Sequence, residues 1–269
     1  MRHLTVGDHQ LEYVWYGSGP DEAPTLVFLH EGLGSVAMWR DFPERVVAAT
    51  GLGALVYSRA GYGDSDPIAL PRPVRYMHDE ALITLPQVLK AAGVRETILV
   101  GHSDGGSIAL IHAGGKGATQ QGISIRGLIL AAPHVFVEEV GLDSIRAIAE
   151  KYRNGPLRDR LRRYHERNVD ETFWGWNQVW LDPAFRSWNI EEYLQHIRVP
   201  VLVIQGANDQ YGTTLQVRAI QDRCRGPLTA IVLDDCGHSP HVDQPELTMD
   251  AIRKFLCEAV HPMEAGGAS

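Results

Sequence analysis

The segment Gly101-His-Ser-Asp-Gly105 has the residue types of a sharp turn that presents a nucleophilic serine. It directly follows an apolar run at 97–100 and directly precedes a segment with helical spacing at 107–113. A strand-to-helix turn this tight needs small flanking residues, because its backbone leaves no room for a Cβ against the neighbouring strands. The dipole at the start of the helix favours the negative charge that develops during attack. The pattern therefore predicts Ser103 as a nucleophile rather than as part of an ordinary glycine-rich turn.

A serine hydroxyl needs a base to remove its proton, and the sequence contains 12 histidines from which position must select one. His238 follows the last predicted strand, at 229–233, and precedes the last predicted helix. A loop in that position lies at the carboxyl edge of the sheet, where the serine turn opens. His241 is the competing histidine. Because the glycine before His238 allows a tight approach, we predict His238 as the base and His241 as a supporting residue or part of a solvated turn.

The imidazole in turn needs a carboxylate that fixes its tautomer and stabilises its charged form. Asp209 follows a predicted strand at 201–204 and falls in a loop at the same edge of the sheet. Asp234 and Asp235 are alternative acids, but a carboxylate that close in sequence to the histidine usually points elsewhere. The predicted order along the chain is therefore serine, acid, histidine.

Acyl transfer also needs hydrogen-bond donors at the developing oxyanion. One predicted donor is the backbone N–H of Asp104, the residue after the nucleophile. The other comes from the loop at 30–35, which reads His-Glu-Gly-Leu-Gly-Ser and follows an apolar run at 25–29. Glycines there let the backbone approach a substrate, so the amide of Gly32 is our first choice and that of Leu33 our second. The histidine that opens the loop is expected only to brace it.

The elements that must position these residues alternate between two kinds. Apolar runs of strand length lie at 25–29, 54–57, 97–100, 128–131, 199–204 and 229–233, after a hairpin at 3–16. Segments of helical spacing lie at 77–92, 107–113, 215–223 and 245–260. In the last of these we expect Leu247, Ala251, Phe255 and Leu256 to face inward. Strands that are apolar at every position are covered by helices on both faces, so the alternation predicts a doubly wound, mostly parallel sheet.

The stretch 137–196 interrupts this alternation. It contains no convincing strand but several amphipathic pieces that are rich in arginine and aromatic residues. We predict that it forms a helical cap over the carboxyl edge of the sheet. The core of the single domain then consists of residues 1–136 and 197–269.

Three tryptophans of this stretch, Trp174, Trp176 and Trp180, fall close together. Some must pack the cap against the core because of their size, and others are pocket candidates for an aromatic or acyl group. The basic run at 158–163 is expected to be a solvated helix face, balanced by acidic residues nearby. A cap arginine that pairs with a substrate carboxylate is the alternative, and it would favour a dicarboxylate or ring-fission product.

Taken together, these motifs resemble the α/β-hydrolase superfamily, specifically the capped serine hydrolases of the esterase, haloperoxidase-like and meta-cleavage-product hydrolase group. The resemblance covers nearly the whole chain. Besides the serine turn and the Asp209 loop, it rests on the stretches His30-Glu-Gly-Leu-Gly34, Ser58-Arg-Ala-Gly-Tyr-Gly-Asp-Ser65 and Gly237-His-Ser-Pro-His-Val-Asp-Gln-Pro-Glu246. It implies the α/β-hydrolase fold with a helical cap insertion and a Ser-His-Asp triad, and it is weakly specific for the substrate.

The chain departs from the family pattern at two carboxylates. Relatives that open epoxides or remove halides carry Asp where this chain has Ser103, which argues against both activities. Glu31 replaces a glycine of the usual His-Gly-Gly start, and Asp104 follows the nucleophile. These side chains either favour a substrate with a cationic or hydrogen-bond-donating group, or pair with a structural partner such as Arg59. We prefer the second interpretation.

Composition excludes several classes of partner. The 269 residues include 25 Lys plus Arg against 33 Asp plus Glu, a formal net charge of −8, which argues against general affinity for nucleic acid or anionic lipid. No window approaches about 18 uninterrupted apolar residues, and the first residues lack the apolar stretch of a signal peptide. The 3 cysteines, without metal-type spacing, are expected to be reduced thiols in a cytoplasmic protein.

The expected activity is hydrolysis of a carboxylic ester or lactone of a small, apolar or aromatic substrate. It proceeds through an acyl-enzyme on Ser103 and requires neither a cofactor nor a metal. Two alternatives stay open. In one, the same triad cleaves a carbon–carbon bond in a ring-fission product of the vinylogous diketone type. In the other, the chain is a hydrolase-fold sensor that binds a small ligand with little turnover.

Overall fold

The computed structural model describes residues 2–115 and 122–260, so the end of the predicted core segment 197–269 lies outside the described residues. Its strands are β1 Arg2–Val6, β2 His9–Tyr16, β3 Thr25–Leu29, β4 Ala54–Tyr57, β5 Glu96–His102, β6 Ser124–Ala131, β7 Val201–Gly206 and β8 Leu228–Leu233. They form one sheet in the order β1-β2-β4-β3-β5-β6-β7-β8. β2 pairs antiparallel with β1 and β4, and all other pairs are parallel. The predicted hairpin and the mostly parallel sheet are confirmed.

Helices connect the parallel strands. The α-helices are α1 Phe42–Thr50, α2 Tyr76–Asp79, α3 Leu85–Ala91, α4 Asp104–Gly114, α5 Glu139–Asn154, α6 Leu157–His165, α7 Val169–Leu181, α8 Glu191–Leu194, α9 Thr214–Arg223, α10 Pro240–Asp243 and α11 Pro245–Phe255. Short 3-10 helices lie at Val36–Trp39, Glu166–Asn168 and Pro183–Ser187, and π-helical turns at Glu80–Thr84 and Leu256–Val260. The first π turn joins α2 to α3, so the helix predicted at 77–92 is one continuous helical stretch. None of the helices in the described ranges is long and apolar enough to cross a membrane.

The apolar strands divide the core into two layers, one on each face of the sheet. In β3, Val27 and Leu29 pack into one layer, whereas Leu26 and Phe28 pack into the other. All five residues of this strand are buried, which is why its sequence shows no polar alternation. The sheet can therefore place its loops, and the side chains on them, against a rigid centre.

Helix α11 corrects one sequence prediction. Leu247 is 53% exposed, and the face of α11 that packs on the core instead carries Thr248, Met249, Ile252 and Phe255. The predicted stripe of Leu247, Ala251, Phe255 and Leu256 and the observed buried face both have helical spacing and share Phe255, so periodicity alone does not separate them. The hydroxyl of Thr248 donates a hydrogen bond of 2.9 Å to the carbonyl of Pro240, which satisfies this buried polar group.

Helices α5 to α8 occupy the stretch between β6 and β7 that the sequence predicts to be helical. We refer to residues 137–196 as the helical segment. Its β-structure, in the part of the chain described here, is limited to the bridge between Phe136 and Asn189 at its border. Helix α7 packs against both α5 and α6. The sequence prediction that this region contains helices and no strand is confirmed.

Candidate active site

Ser103 occupies the turn between β5 and α4 in a conformation that side chains rarely adopt, with φ 52° and ψ −118°. The flanking glycines permit it. A Cβ on Gly101 would overlap the backbone of Gly105, and a Cβ on Gly105 would overlap the carbonyl oxygen of Leu29. The amide of Ser103 also donates a hydrogen bond of 2.9 Å to the carbonyl of Ala131 in β6. The sheet thus holds the serine in its strained position.

Helix α4 begins earlier than the sequence predicts. Its first residue is Asp104, directly after the serine, rather than residue 107. The N-terminal end of the helix dipole therefore lies at Ser103, the predicted nucleophile, where it favours negative charge.

His238 and Asp209 form a hydrogen-bonded pair on the loops that follow β8 and β7. The Nδ1 atom of His238 lies 2.9 and 2.8 Å from the two carboxylate oxygens of Asp209. The Asp209 side chain is 1% exposed and accepts two further hydrogen bonds, from the side-chain amide of Gln205 at 2.7 Å and the backbone amide of Tyr211 at 2.8 Å. Since Nδ1 must carry the proton in this pair, Nε2 of the ring remains as the proton acceptor.

The environment keeps Asp209 ionised. Burial disfavours the charged carboxylate, but the hydrogen bonds from His238 and the Tyr211 amide outweigh this effect. The pKa of Asp209 therefore lies below its ordinary value. An ionised partner is what stabilises an imidazolium when the histidine takes up a proton.

Ser103 and His238 line one cavity of about 180 Å³. In the described ranges no hydrogen bond joins the Ser103 hydroxyl to the His238 ring. Catalytic hydrogen bonds of this kind often tighten only when a substrate binds. Ser103, His238 and the loop that follows β3 therefore line the same cavity.

The competing residues lie elsewhere. The ring of His241 packs between Trp39 and Phe42, with its centroid 5.1 Å from each of theirs. Burial lowers the pKa of His241 to about 4. Asp234 and Asp235 are exposed, and their backbone carbonyls accept hydrogen bonds from Gln244. The geometry therefore separates His238 and Asp209 from the alternatives.

Two further histidines lie at the site and were missed from the sequence. His102, next to Ser103, donates a hydrogen bond of 2.7 Å from Nε2 to the backbone carbonyl of His238. The ring of His134 lies 5.6 Å from the His238 ring and packs edge-on against Trp180. Burial and the nearby His238 lower the pKa of His134. Its position directly after β6, at the same edge of the sheet, was the available signal.

The predicted oxyanion donors also line the cavity. Gly32, Leu33 and Asp104 all contribute to the wall that contains Ser103. A Cβ on Gly32 would overlap the indole ring of Trp176, so only glycine lets the loop approach this closely. The loop is therefore set against both the serine turn and helix α7.

Arg59 and His30 hold the loop at 30–35 in place by hydrogen bonds. The buried guanidinium of Arg59 donates hydrogen bonds of 2.6 and 3.0 Å to the carbonyls of His30 and Glu31. The His30 ring donates from Nδ1 to the carbonyl of Glu31 at 2.7 Å and accepts from the Arg59 amide at Nε2 at 3.1 Å. His30 thus braces the loop, as the sequence predicts.

The two unusual carboxylates do not form the expected ion pairs with Arg59, because that guanidinium is engaged by backbone carbonyls. Asp104 instead accepts a hydrogen bond from the hydroxyl of Tyr76, which in turn accepts one from the indole of Trp180 at 3.0 Å. Burial raises the pKa of Asp104, against the effect of the nearby Arg59. Burial also raises the pKa of Glu31, to about 7. The prediction of a structural partner therefore holds for Asp104, but the partner is a tyrosine.

The tryptophans have different roles. Trp176 and Trp180 line the cavity, together with Ile145. Trp174, which the sequence offered as a pocket residue, does not belong to the cavity wall. It packs on Phe173 with ring centroids 4.9 Å apart. Trp176 and Trp180 are one helical turn apart on α7, whereas Trp174 lies on the opposite side of that helix.

The cavity wall contains no lysine or arginine in the described ranges. The first arginine of the basic run at 158–163, Arg158, pairs with Asp170, and none of the others in that run reaches the wall. The structure therefore gives no support to a cap arginine that binds a substrate carboxylate. Among residues 2–115 and 122–260, no cluster of three His, Cys, Asp or Glu side chains is placed to hold a metal ion.

Sequence comparison finds distant relatives. The chain is 26% identical over 258 residues to 2-succinyl-6-hydroxy-2,4-cyclohexadiene-1-carboxylate synthase from Serratia proteamaculans, covering 88% of this chain and 95% of the relative. It is 22% identical over 272 residues to a proline iminopeptidase from Lactobacillus crispatus, covering 87% and 90% of the two chains. These relatives catalyse different reactions, so the likeness by itself does not name a substrate.

Comparison with solved structures finds other proteins that have the same fold as this chain. An esterase from Exiguobacterium antarcticum superposes with a TM-score of 0.74 at 21% identity, covering 95% of this chain and 99% of the esterase. The model of the alpha/beta hydrolase family matches residues 26–251, which include the serine turn, the Asp209 loop and His238. The chain is thus a hydrolase, and it belongs to the α/β hydrolase family.

Proposed function

We propose that this hydrolase cleaves the carboxylic ester or lactone bond of a small substrate with an apolar or aromatic acyl group. The observation that carries the proposal is the hydrogen-bonded pair of His238 and Asp209 in the cavity that contains Ser103. This arrangement supplies the three groups that acyl transfer by a serine requires, a nucleophile, a base and a carboxylate that orients the base.

In the proposed mechanism the Ser103 hydroxyl oxygen attacks the substrate carbonyl, and Nε2 of His238 takes the hydroxyl proton. The backbone amides of Asp104 and of Gly32 or Leu33 donate to the oxyanion. When the intermediate collapses, the bond to the leaving alcohol breaks and His238 returns the proton to its oxygen. A water molecule, deprotonated by the same histidine, then attacks the acyl carbon. The bond from that carbon to the Ser103 oxygen breaks, His238 returns its proton to this oxygen, and the acid leaves.

The apolar part of the cavity supports the choice of acyl group. Trp176, Trp180 and Ile145 present large apolar surfaces, which stabilise an aliphatic or aromatic group by removing it from water. All three belong to the helical segment 137–196. We propose that this segment acts as a cap on a core of residues 1–136 and 197–269.

The absence of a cation from the described cavity wall favours an ester over a ring-fission acid. The synthase relative is named for a carboxylate-bearing compound. A substrate with carboxylates would meet Glu31 and no compensating lysine or arginine in this wall, which costs binding free energy. Carbon–carbon cleavage of a vinylogous diketone acid is therefore the second choice.

The free thiols of Cys224, Cys236 and Cys257 support a cytoplasmic location.

The test combines a covalent probe with turnover. The protein and its Ser103→Ala variant are incubated with a fluorophosphonate probe and with short p-nitrophenyl esters. We expect labelling and ester hydrolysis in the protein and neither in the variant. Labelling without ester hydrolysis would replace the proposal with carbon–carbon cleavage, or with a sensor that turns over little. No labelling at all would contradict the nucleophilic role of Ser103.

A further inference from the structure

A buried histidine of the helical segment, His165, bridges two loops of the core. Its Nε2 atom donates a hydrogen bond of 2.8 Å to the backbone carbonyl of Leu33, in the loop at 30–35. Its Nδ1 atom accepts one of 3.0 Å from the backbone amide of Gly63. The residue is 0% exposed, and burial lowers the pKa of His165 to about 4. The ring is therefore neutral near pH 7, and both of its nitrogens are engaged.

The carbonyl that His165 binds belongs to a chain of peptide groups. The Leu33 carbonyl shares its peptide group with the N–H of Gly34, which donates a hydrogen bond of 3.1 Å to the carbonyl of Glu31. The Glu31 carbonyl shares its peptide group with the N–H of Gly32. Because the C=O and N–H of a trans peptide point in opposite directions, the direction of each hydrogen bond sets that of the next. The ring of His165 thus fixes the direction of the Gly32 N–H.

The N–H of Gly32 ends this chain and is available to a ligand. Among the hydrogen bonds of the described residues, none uses it, and Gly32 lines the cavity that contains Ser103. Consecutive hydrogen bonds polarise one another, so a donor at the end of such a chain is strengthened. The N–H of Leu33 lacks this support, since the carbonyl of its peptide group, that of Gly32, accepts no hydrogen bond within the described ranges. The arrangement favours Gly32 over Leu33 as the oxyanion donor.

Further buried hydrogen bonds attach the helical segment beside His165. The side-chain amide of Asn168 donates to two carbonyls of the core stretch 61–65, at 3.1 and 2.7 Å, and the hydroxyl of Thr172 donates to another at 2.7 Å. Asn168, Thr172 and Trp176 are four residues apart, so they follow one side of the helix down to the ring that packs on Gly32. The contact is fixed at several points, and the loss of one bond leaves the others in place.

The backbone after His165 is strained. Glu166 has φ 43°, a value that residues other than glycine rarely adopt. Strain of this kind persists where the surrounding structure imposes it. His165 itself does not belong to the wall of the cavity, so it can act on the reaction only through the loop at 30–35.

We propose that His165 is a positioning residue, which holds the loop at 30–35 so that the N–H of Gly32 is directed at the oxyanion. The inference rests on the proposed ester hydrolysis. In the step concerned, the Ser103 oxygen bonds to the substrate carbonyl carbon, and the π electrons of the carbonyl move onto its oxygen. The negative charge on that oxygen is what the Gly32 N–H stabilises. The helical segment then contributes to bond cleavage as well as to the cavity wall.

The test separates the two hydrogen bonds of His165. In His165→Asn the side-chain oxygen can still accept from the Gly63 amide, but the side chain is too short to donate to Leu33. We expect kcat for p-nitrophenyl butyrate to fall about 10- to 100-fold, with KM within about 2-fold, because a misplaced donor affects the transition state. His165→Gln, whose amide can reach the Leu33 carbonyl, should recover part of the loss. His165→Phe, which removes both bonds, carries the test if His165→Asn does not fold.

A second measurement reports on the oxyanion itself. A trifluoromethyl ketone with a butyl chain adds to a catalytic serine and forms a tetrahedral adduct whose oxygen is negatively charged. We expect its inhibition constant to rise in His165→Asn by the same factor by which kcat/KM falls. A loss of activity that leaves this inhibition constant unchanged would contradict the positioning role.

Thr172→Val is the matched control, because it removes a buried hydrogen bond between the helical segment and the core stretch 61–65 but none to the loop at 30–35. It should lower the free energy of unfolding and leave kcat within about 2-fold. Equal loss of kcat in Thr172→Val and His165→Asn, or an unchanged kcat in His165→Asn, would overturn this inference alone. Failure of the wild type to hydrolyse any ester would overturn the proposed function and this inference with it.

Discussion

The Nε2 atom of His102 donates a hydrogen bond of 2.7 Å to the backbone carbonyl of His238. The residue before the proposed nucleophile thereby fixes the loop that carries the proposed base. The two rings also pack together, with centroids 5.2 Å apart. Burial keeps the pKa of His102 well below its ordinary value, so the ring is neutral and its single N–H serves this bond. The alignment of Ser103 with His238 thus depends on a side chain that need not touch the substrate.

His102 should therefore act as a positioning residue. We expect His102→Phe to lower kcat about 10-fold or more, with KM changed less than about 2-fold, because misplacement affects the transition state more than substrate binding. Esterase kinetics on p-nitrophenyl butyrate measure both constants. His102→Gln, whose side-chain amide can donate, should recover part of the loss. A parallel change of kcat and KM in both variants would indicate a general structural role instead.

We expect Asp209 to affect catalysis by fixing the tautomer of His238. In Asp209→Asn the new amide N–H can donate to Nδ1, which places the imidazole proton on Nε2, where it blocks proton uptake. We expect kcat to fall about 10⁴-fold with little change in thermal stability. Asp235→Asn is the matched control, because Asp235 is exposed on the same loop as His238. Near-normal activity in Asp209→Asn would contradict the assignment of the acid.

Glu31 should make stability depend on pH. Burial raises the pKa of this carboxyl from 4.5 to about 7 in the folded chain. The unfolded chain therefore releases the proton at lower pH than the folded chain does, and folding loses stability as the pH rises from about 4.5 to about 7. We expect Glu31→Gln to be more stable than the wild type at pH 8 by about 3 kcal/mol and to be equal to it at pH 4. Urea unfolding at both pH values measures this difference, and a difference of the same size at both would contradict it.

Gly105 should not tolerate a side chain. A Cβ there would overlap the Leu29 carbonyl oxygen, which belongs to a buried strand and cannot move easily. We expect Gly105→Ala to destabilise the fold by about 2–4 kcal/mol, measured by urea unfolding. Gly19→Ala is the control, because its Cβ would meet only the carboxylate of Glu22, at 3.4 Å. Equal stability of the two variants would show that the serine turn has room to adjust.

The sequence predicts the parts of the site that depend on chain order. Ser103, Asp209 and His238 each follow an apolar strand, and parallel strands bring their carboxyl ends to one edge. The structure brings these three residues to that edge, with His238 bonded to Asp209. The order of residues along the chain does not show which side chain will donate a hydrogen bond to a given loop carbonyl. The bond from His102 to His238 joins residues far apart in the chain, so it was not predictable in this way.

Other differences between the sequence predictions and the structure arise because the sequence does not show which side of a helix faces the core. Trp176 and Trp180 reach the cavity and Trp174 does not, because successive positions on α7 point in different directions. The sequence alone did not establish where α7 begins or which side meets the sheet. For the same reason, the sequence analysis wrongly predicted that Leu247 faces inward. For Arg59, charge alone predicts carboxylate partners, whereas the guanidinium donates hydrogen bonds to the carbonyls of His30 and Glu31.

The contact between Gly32 and Trp176 ties the loop of the proposed oxyanion donors to the helical segment. The indole ring fills the space in which a side chain at position 32 would project, and it belongs to helix α7. A displacement of α7 would therefore open the backbone of this loop to water and weaken any hydrogen bond from it to an oxyanion. The geometry of the proposed site thus depends on how the helical segment packs on the core.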